Sequence, residues 1–81
     1  MVAVDAATIW PEDAADVEEG IVATWFVRDG ATVEEGDTLC EVQIEKVSVD
    51  VVAPVGGVVE RGVEENEPFD QVQTLVRIEP G

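Results

Sequence analysis

Apolar and polar residues alternate through 42–51, on both sides of a two-residue centre. This period-two pattern predicts two half-buried strands joined by a tight turn. Pairing Ile44 with Val47 brings the apolar faces of both strands together and leaves Glu45 and Lys46 as the turn. The sequence therefore predicts a β-hairpin with Lys46, the only lysine of the chain, at its exposed tip.

The residues of this turn are not those that such turns favour. Two-residue hairpin turns prefer Asn-Gly or Asp-Gly, because their central residues often need a positive φ angle. Glu45 and Lys46 lack that advantage, and a local rule broken in an otherwise regular hairpin indicates a residue kept for a function. The alternative is that Lys46 is an ordinary lysine of an exposed turn, with no special role.

The rest of the chain also reads as short strands. Apolar runs separated by Gly, Pro, Asp and Asn predict an all-β domain, either a sandwich or a flattened barrel. The predicted strands cover 7–10, 20–28, 39–44, 47–53, 58–63 and 75–78. The segment 12–19 is predicted to be an acidic surface loop.

The chain contains an internal repeat, which becomes visible on a shift of 36 residues. Gly20 then aligns with Gly56 and Val22 with Val58, and the correspondence continues without a gap to Ile78. Two similar halves imply two packed sheets related by a pseudo-two-fold axis. We therefore expect two four-stranded antiparallel sheets.

This symmetry predicts where the ends of the molecule lie and which residues fill its centre. Lys46 is expected at one end, and both chain termini at the other. The core is expected to include apolar residues that the predicted strands and turns direct inward. These are Val22, Trp25, Val27, Val33, Leu39, Val42, Val49, Val51, Val58, Val63, Phe69, Leu75 and Ile78.

The composition describes one small acidic domain, spanning residues 1–81. Hydrophobic residues make up 46% of the chain, too many for a disordered segment. Nineteen acidic residues against four basic ones give a net charge of −15, so nucleic acid and anionic membranes are not expected partners. No stretch resembles a membrane span or a signal peptide. Such an excess of acid, with lysine almost eliminated, indicates adaptation to a salty cytosol, as in a halophile.

The residue types that usually carry catalysis are scarce. The sequence has no histidine, no pair of cysteines, no phosphate-binding loop and no dinucleotide fingerprint. Cys40 is expected to be a small buried hydrophobe, and a single cysteine is consistent with a reducing cytoplasm. We therefore expect no catalytic residue and no metal site. The exposed amine of Lys46 is instead suited to a covalently attached group.

Several motifs taken together resemble the biotinyl/lipoyl carrier domains. They are Trp10-Pro11, Asp16-Val17-Glu18-Glu19-Gly20, Val33-Glu34-Glu35-Gly36-Asp37-Thr38-Leu39, Ile44-Glu45-Lys46-Val47 and Ala53-Pro54-Val55-Gly56-Gly57-Val58. The motif around Lys46 stands where lipoyl domains carry Asp-Lys-Ala or Asp-Lys-Val. The resemblance covers nearly the whole chain and implies a barrel-sandwich hybrid with internal two-fold symmetry.

The resemblance implies a function for Lys46. Biotin-carrying domains place methionine on both sides of their lysine, whereas Glu45 and Val47 flank Lys46, so the chain looks like a lipoyl domain. In that family lipoate is joined to the lysine by an amide and carries acyl groups between the active sites of a 2-oxo acid dehydrogenase complex. The implied roles are attachment for Lys46 and flanking recognition for Glu45 and Val47. A biotin carboxyl carrier domain and an unmodified interaction domain are the alternatives.

Partners follow from the same resemblance. A lipoate ligase, or an octanoyltransferase with lipoyl synthase, would load the lysine. A thiamine-dependent 2-oxo acid decarboxylase, an acyltransferase core and a dihydrolipoamide dehydrogenase would use it, either with a stand-alone carrier or within a longer acyltransferase. Two departures concern this site: Glu45 replaces the usual aspartate, and Asp13-Ala14 stands where the family often has Leu-Gly. They bear on the geometry of the turn and on the identity of the partner decarboxylase.

Overall fold

The central hairpin forms with the predicted register. In the computed structural model, which describes residues 1–80, Ile44 pairs with Val47 and Val42 with Val49. The strands are β1 (Val2–Asp5), β2 (Glu19–Trp25), β3 (Thr32–Val33), β4 (Thr38–Ile44), β5 (Val47–Val52), β6 (Gly57–Arg61), β7 (Pro68–Asp70) and β8 (Thr74–Glu79). One helical turn, α1 (Ala6–Ile9), and a 3-10 turn, Glu12–Ala14, lie between β1 and β2. No helix within residues 1–80 is long and apolar enough to cross a membrane.

Two four-stranded antiparallel sheets build the domain, as predicted. One has the strand order β1-β8-β6-β3 and the other β5-β4-β2-β7. Exchanging β1 with β5, β2 with β6, β3 with β7 and β4 with β8 converts one order into the other. The two sheets are therefore related by a pseudo-two-fold axis, and they enclose one core within dimensions of 37 × 20 × 17 Å.

The core agrees with the sequence pattern at most positions. Its largest fully buried side chains include Phe69, Leu39 and Ile44. The other predicted core residues are also buried or pack partly buried against the core, with one exception. Val58 was predicted to be inside but is 44% exposed, and Val59 is buried in its place.

A β-bulge explains the error at Val58. Strand β2 pairs with β4 through Val22–Val42 and Thr24–Glu41, so the register shifts there and Ala23 is an extra residue. Strand β6 pairs with β8 with no such shift. The alignment of the two halves therefore contains a one-residue gap, contrary to the prediction of a repeat without gaps.

The bulge changes which residues of the two halves correspond. Gly20 pairs with Phe69, and in the other sheet Gly57 pairs with Val33, so Gly20 corresponds to Gly57 rather than to Gly56. After the bulge the offset is again the predicted one. A Cβ atom built on Gly57, which has a φ of +154°, would overlap the carbonyl oxygen of Glu79. A side chain at this position is therefore excluded by both space and backbone conformation.

The first predicted strand, 7–10, is wrong. Residues Ala6–Ile9 form a helical turn, and the first strand is β1, which pairs with β8. Trp10, which follows the helical turn, packs against the core. Its indole N–H donates to the Ala14 carbonyl at 2.8 Å, and its ring packs edge-on against Phe69. A short apolar run does not distinguish helix from strand, and here packing over the core decided the outcome. The acidic loop predicted for 12–19 likewise contains a 3-10 turn with Ala14 buried.

The remaining strands differ from the prediction mainly at their ends. Strand β2 ends at Trp25 rather than at residue 28, and β6 ends at Arg61 rather than at residue 63. The short edge strands β3 and β7 were not predicted. They are only two and three residues long, too short to show a period-two pattern.

Lys46 and the described ends of the chain, near Val2 and Pro80, lie at opposite ends of the molecule, in agreement with the prediction. Strand β5 leads away from Lys46 over six residues, roughly 20 Å, to Ala53, whose carbonyl accepts a hydrogen bond from the Gly36 N–H. At this far end a Cβ on Gly57 would lie 2.9 Å from the Cα of Pro80. Since β1 pairs with β8, the N-terminus starts at the same end.

Candidate functional site at the hairpin tip

The turn between β4 and β5 consists of two residues, Glu45 and Lys46. Glu45 has a φ of +56°, in the left-handed region, and Lys46 has a negative φ. A positive φ at only the first central position is the pattern of a type II′ turn, which matches the twist of a hairpin. The Gln43 side-chain N–H donates to the Glu45 carbonyl at 3.3 Å, across the turn. The replacement of aspartate by Glu45 therefore leaves a regular turn.

The Lys46 side chain is exposed at the end of this rigid hairpin. Within the part of the chain that the structure describes, the ion pairs join Arg61 to Glu64 and Arg77 to Glu60, and neither includes Lys46. Residues 1–80 contain no cluster of three or more acidic, cysteine or histidine side chains that could hold a metal ion. The tip thus presents a primary amine with open space around it, as covalent attachment of a cofactor requires.

The segment that contains Asp13 and Ala14 lies beside the tip. The two residues line a shallow depression of about 200 Å³ together with residues 44–47. Gln71, in the turn between β7 and β8, anchors this segment, since its side-chain N–H groups donate to the carbonyls of Ala15 and Val17 at 2.9 and 2.8 Å. A partner that reaches Lys46 would therefore meet Asp13 and Ala14 as well.

Gly20 allows the hairpin to pack closely on the core. A Cβ atom at Gly20 would lie 2.8 Å from Phe69 Cζ and 2.9 Å from Ile44 Cγ1, both fully buried side chains. The absence of a side chain at Gly20 lets Phe69 pack directly beneath Ile44, the last residue of β4. The tip therefore stands on a packed base, which limits its motion.

Comparison with known protein families identifies the family to which this chain belongs. The model of the biotin/lipoyl family, described as biotin-requiring enzyme, matches residues 9–79. The chain belongs to the biotin/lipoyl family.

Sequence relatives lie on the lipoyl side of the family. Over 50 residues the chain is 44% identical to the dihydrolipoyllysine-residue acetyltransferase component of pyruvate dehydrogenase complex from Staphylococcus aureus. The corresponding Staphylococcus epidermidis protein is 42% identical over 50 residues. In both cases the match covers 62% of this chain and 12% of the relative, so the chain matches only a small part of the length of these curated relatives.

A solved structure gives the same assignment. The lipoyl domain of the 2-oxoglutarate dehydrogenase complex from Azotobacter vinelandii superposes with a TM-score of 0.78 and 26% identity, over 100% of both chains. With the family and the relatives above, this makes the chain a lipoyl-type carrier domain, which is not catalytic by itself. Its all-β architecture of two four-stranded sheets is the lipoyl-domain fold.

Cys40 takes no part in the candidate site at the hairpin tip. It is fully buried, and this burial raises the pKa of its thiol to about 12, an effect that nearby Asp50 reinforces and Arg61 opposes. A thiol with so high a pKa is neutral at physiological pH and is a poor nucleophile. The expectation of a small buried hydrophobe is therefore confirmed.

The sequence placed Glu45, Lys46 and Val47 at the tip, and the structure brings them together there with Asp13 and Ala14. Val47 is 38% exposed, so it is accessible to a partner beside the amine. Sequence reasoning missed the supporting roles of Gly20, Gln43 and Gln71. For Gly20, the one signal in the sequence was a glycine near the start of a predicted strand. The reason why a side chain is not tolerated there is visible only from its cross-strand neighbours.

Proposed function

We propose that Lys46 is the attachment point of lipoate and that the domain carries acyl groups within a 2-oxo acid dehydrogenase complex. The observation that carries the proposal is that the only lysine of a lipoyl-type domain stands exposed at the tip of a two-residue hairpin turn. An amide-linked lipoyl group supplies a dithiolane that can be reduced, acylated and reoxidised. The names of the relatives, from pyruvate and 2-oxoglutarate dehydrogenase complexes, support this class of complex.

The protein's own residues would hold and present the amine. The paired strands β4 and β5 fix the direction of the tip, and Gly20 and Phe69 support it from below. The long lysine side chain then adds a flexible element to a rigid base. Tethering of this kind raises the effective concentration of the carried group at each active site within reach.

The residues that flank Lys46 support lipoate over biotin. Glu45 and Val47 stand where biotin domains have methionine, and neither substitution disturbs the turn. We assign to both residues a role in recognition by the enzyme that loads the lysine. A biotin carrier and an unmodified interaction domain are the competing functions, and each predicts a different product below.

The partners follow from the carrier function. Loading requires a lipoate ligase, or an octanoyltransferase followed by lipoyl synthase. Use requires a thiamine-dependent decarboxylase, an acyltransferase core and a dihydrolipoamide dehydrogenase, in the cytoplasm. The net charge of −15 supports a further element of the proposal, that this cytoplasm is salty, as in a halophile.

The test is the mass of the intact domain after incubation with a lipoate ligase, lipoate and ATP. We expect one lipoyl adduct on the wild type and none on Lys46→Arg, which keeps the charge but removes the primary amine. A parallel incubation with a biotin ligase should give no adduct. Biotinylation without lipoylation would establish the biotin carrier, and no adduct from either enzyme would favour the unmodified interaction domain.

A further inference from the structure

A second, larger depression lies on the outer face of the hairpin sheet. Its volume is about 440 Å³. Its lining residues are Glu19, Gly20, Ile21, Ala23, Gln43, Glu45 and Asn66. Glu45 also lines the depression beside Lys46, so the two surfaces are continuous around the tip.

Ile21 is the apolar centre of this surface. Its side chain is 46% exposed, although β-branched aliphatic residues are usually buried. It pairs across the sheet with Gln43, three residues before Lys46, which places it roughly 10 Å from the lysine along the strand. An exposed isoleucine so close to the reacting amine is available for contact with whatever reaches that amine.

The bulge sets this surface apart from its symmetry mate. Ala23, the bulged residue, lines the depression, and the corresponding strand β6 has no bulge. This departure from two-fold symmetry between β2 and β6 thus falls within the depression, opposite Val42, roughly 13 Å along β4 from Lys46. Bulges are common beside functional sites, where they bend a strand and redirect side chains.

The charge of the depression indicates the chemistry of its occupant. Glu19 and Glu45 are its charged lining residues, and no basic side chain lines it. A complementary surface would bring one apolar side chain to Ile21 and basic side chains to the two carboxylates.

We infer that this depression docks the enzyme that attaches lipoate to Lys46, an inference that rests on the proposed function. Enzymes that use a lipoyl group react at its dithiolane, which is separated from the lysine by the length of the arm. The attaching enzyme forms its bond at the Lys46 Nζ itself, so its surface must contact the residues that surround the tip. Ile21 is thus a residue that determines recognition of the domain and does not take part in the chemistry.

The experiment measures the rate of lipoylation of the domain by a lipoate ligase as a function of domain concentration. Ile21→Asp should raise the KM for the domain at least about tenfold with little change in kcat, because it places an unpaired charge in an apolar contact. Ile21→Val, which supplies the residue that β6 carries at the corresponding position, should stay within about twofold of the wild type.

Val58 provides a matched control. It corresponds to Ile21 across the pseudo-two-fold axis, is 44% exposed and lies on the other sheet. Val58→Asp should leave the KM unchanged, and thermal melts of both aspartate variants should show that they are folded. The comparison separates recognition from any general effect of a new charge on a sheet face.

Several results would overturn the inference. If Ile21→Asp is lipoylated with the wild-type KM, or if Val58→Asp is impaired to the same extent, the depression does not dock the ligase. Normal lipoylation of Ile21→Asp with slow acylation by a decarboxylase would assign the surface to that enzyme instead. Failure of the wild type to accept lipoate at all would remove the proposed function, and the inference with it.

Discussion

Trp25 and Arg61 occupy equivalent positions in the two halves of the chain and stack on each other, with the guanidinium carbon 4.8 Å from the ring centroid. Trp25 pairs with Cys40 in one sheet, and Arg61 pairs with Val76 in the other. Because symmetry-related residues that touch must lie beside the symmetry axis, this contact marks the pseudo-two-fold axis and joins the sheets. The Trp25 indole N–H also donates to the Val63 carbonyl at 2.9 Å.

This position predicts a stability difference between two arginines. Arg61→Ala should lower the free energy of unfolding by about 1–2 kcal/mol, since it removes a cation–π contact, packing and an ion pair to Glu64. Arg77→Ala, which breaks an exposed pair to Glu60 at 3.5 Å, should cost less than about 0.5 kcal/mol. Urea unfolding of both variants at moderate salt provides the measurement. Equal losses of unfolding free energy in the two variants would show that the stack of Arg61 on Trp25 adds no measurable stability.

The left-handed conformation of Glu45 predicts that the turn can be stabilised. Glu45→Asn should raise the free energy of unfolding by about 0.5 kcal/mol, because asparagine tolerates a positive φ better than glutamate. Lys46→Asn is the matched control and should bring no gain, since Lys46 has a negative φ. Chemical denaturation of the two variants distinguishes them. A gain at Lys46 and none at Glu45 would contradict the type II′ turn.

Cys40 predicts a loss of stability at high pH. Burial raises the pKa of its thiol from near 9.0 to about 12, so the folded state keeps a proton that the unfolded state loses. The stabilisation is therefore complete below about pH 9 and is lost as the pH rises towards 12, with a slope of at most about 1.4 kcal/mol per pH unit. The sequence contains no tyrosine or histidine to obscure this effect.

Urea unfolding between about pH 8 and pH 11 measures that slope. A Lys46→Gln background removes the only side-chain amine from the titration. Adding Cys40→Ala to this background should lower stability at neutral pH, because it leaves a small cavity, but should flatten the slope. A slope that persists without the thiol would assign the pH dependence to another group.

The acidic surface predicts a strong dependence of stability on salt. Glu41 and Asp50 face each other across the central hairpin, and like charges in this position are destabilising. The screening length falls from about 30 Å at 0.01 M salt to about 3 Å at 1 M. The melting temperature should therefore rise steeply with KCl, and NaCl should act nearly as well, because screening is not ion-specific. A melting temperature that is flat up to molar salt would refute the adaptation proposed above.

A single substitution isolates the hairpin pair. In the other half of the repeat, Arg77 stands at the position equivalent to Glu41, and its cross-strand neighbours are Ala3 and Glu60, so no like-charged pair occurs there. Glu41→Arg should therefore raise the melting temperature at low salt, and the gain should shrink in molar KCl. Arg77→Glu should have the opposite effect. If neither change depends on salt, local repulsion is not what limits stability.

The sequence was most informative where period-two alternation and the repeat agreed. Ile44 and Val47 fixed the register of the hairpin and hence the exposure of Lys46. The bulge at Ala23 was hidden, because Val58 and Val59 are both apolar and either can be aligned with Val22. Only the cross-strand partners in the structure decide between them.

Two other features also depended on contacts far apart in the chain. The helical turn Ala6–Ile9 leads into Trp10, which packs on Phe69, and a four-residue apolar run cannot show this contact. The offset of 36 residues shows that Trp25 and Arg61 are equivalent in the repeat. It does not show that they stack, because the stack requires the two-fold axis to pass between them. Local patterns therefore predicted the strands and the tip, whereas the supports of the tip required the three-dimensional arrangement.

The most direct test of the account is the chemical state of Lys46 in the protein isolated from its own cells, grown with lipoate available. Peptide mass spectrometry that covers 42–51 should find a lipoyl amide on Lys46 and no modification of any other residue. A bare lysine, or one that carries biotin, would contradict the assignment of this domain as a lipoyl carrier.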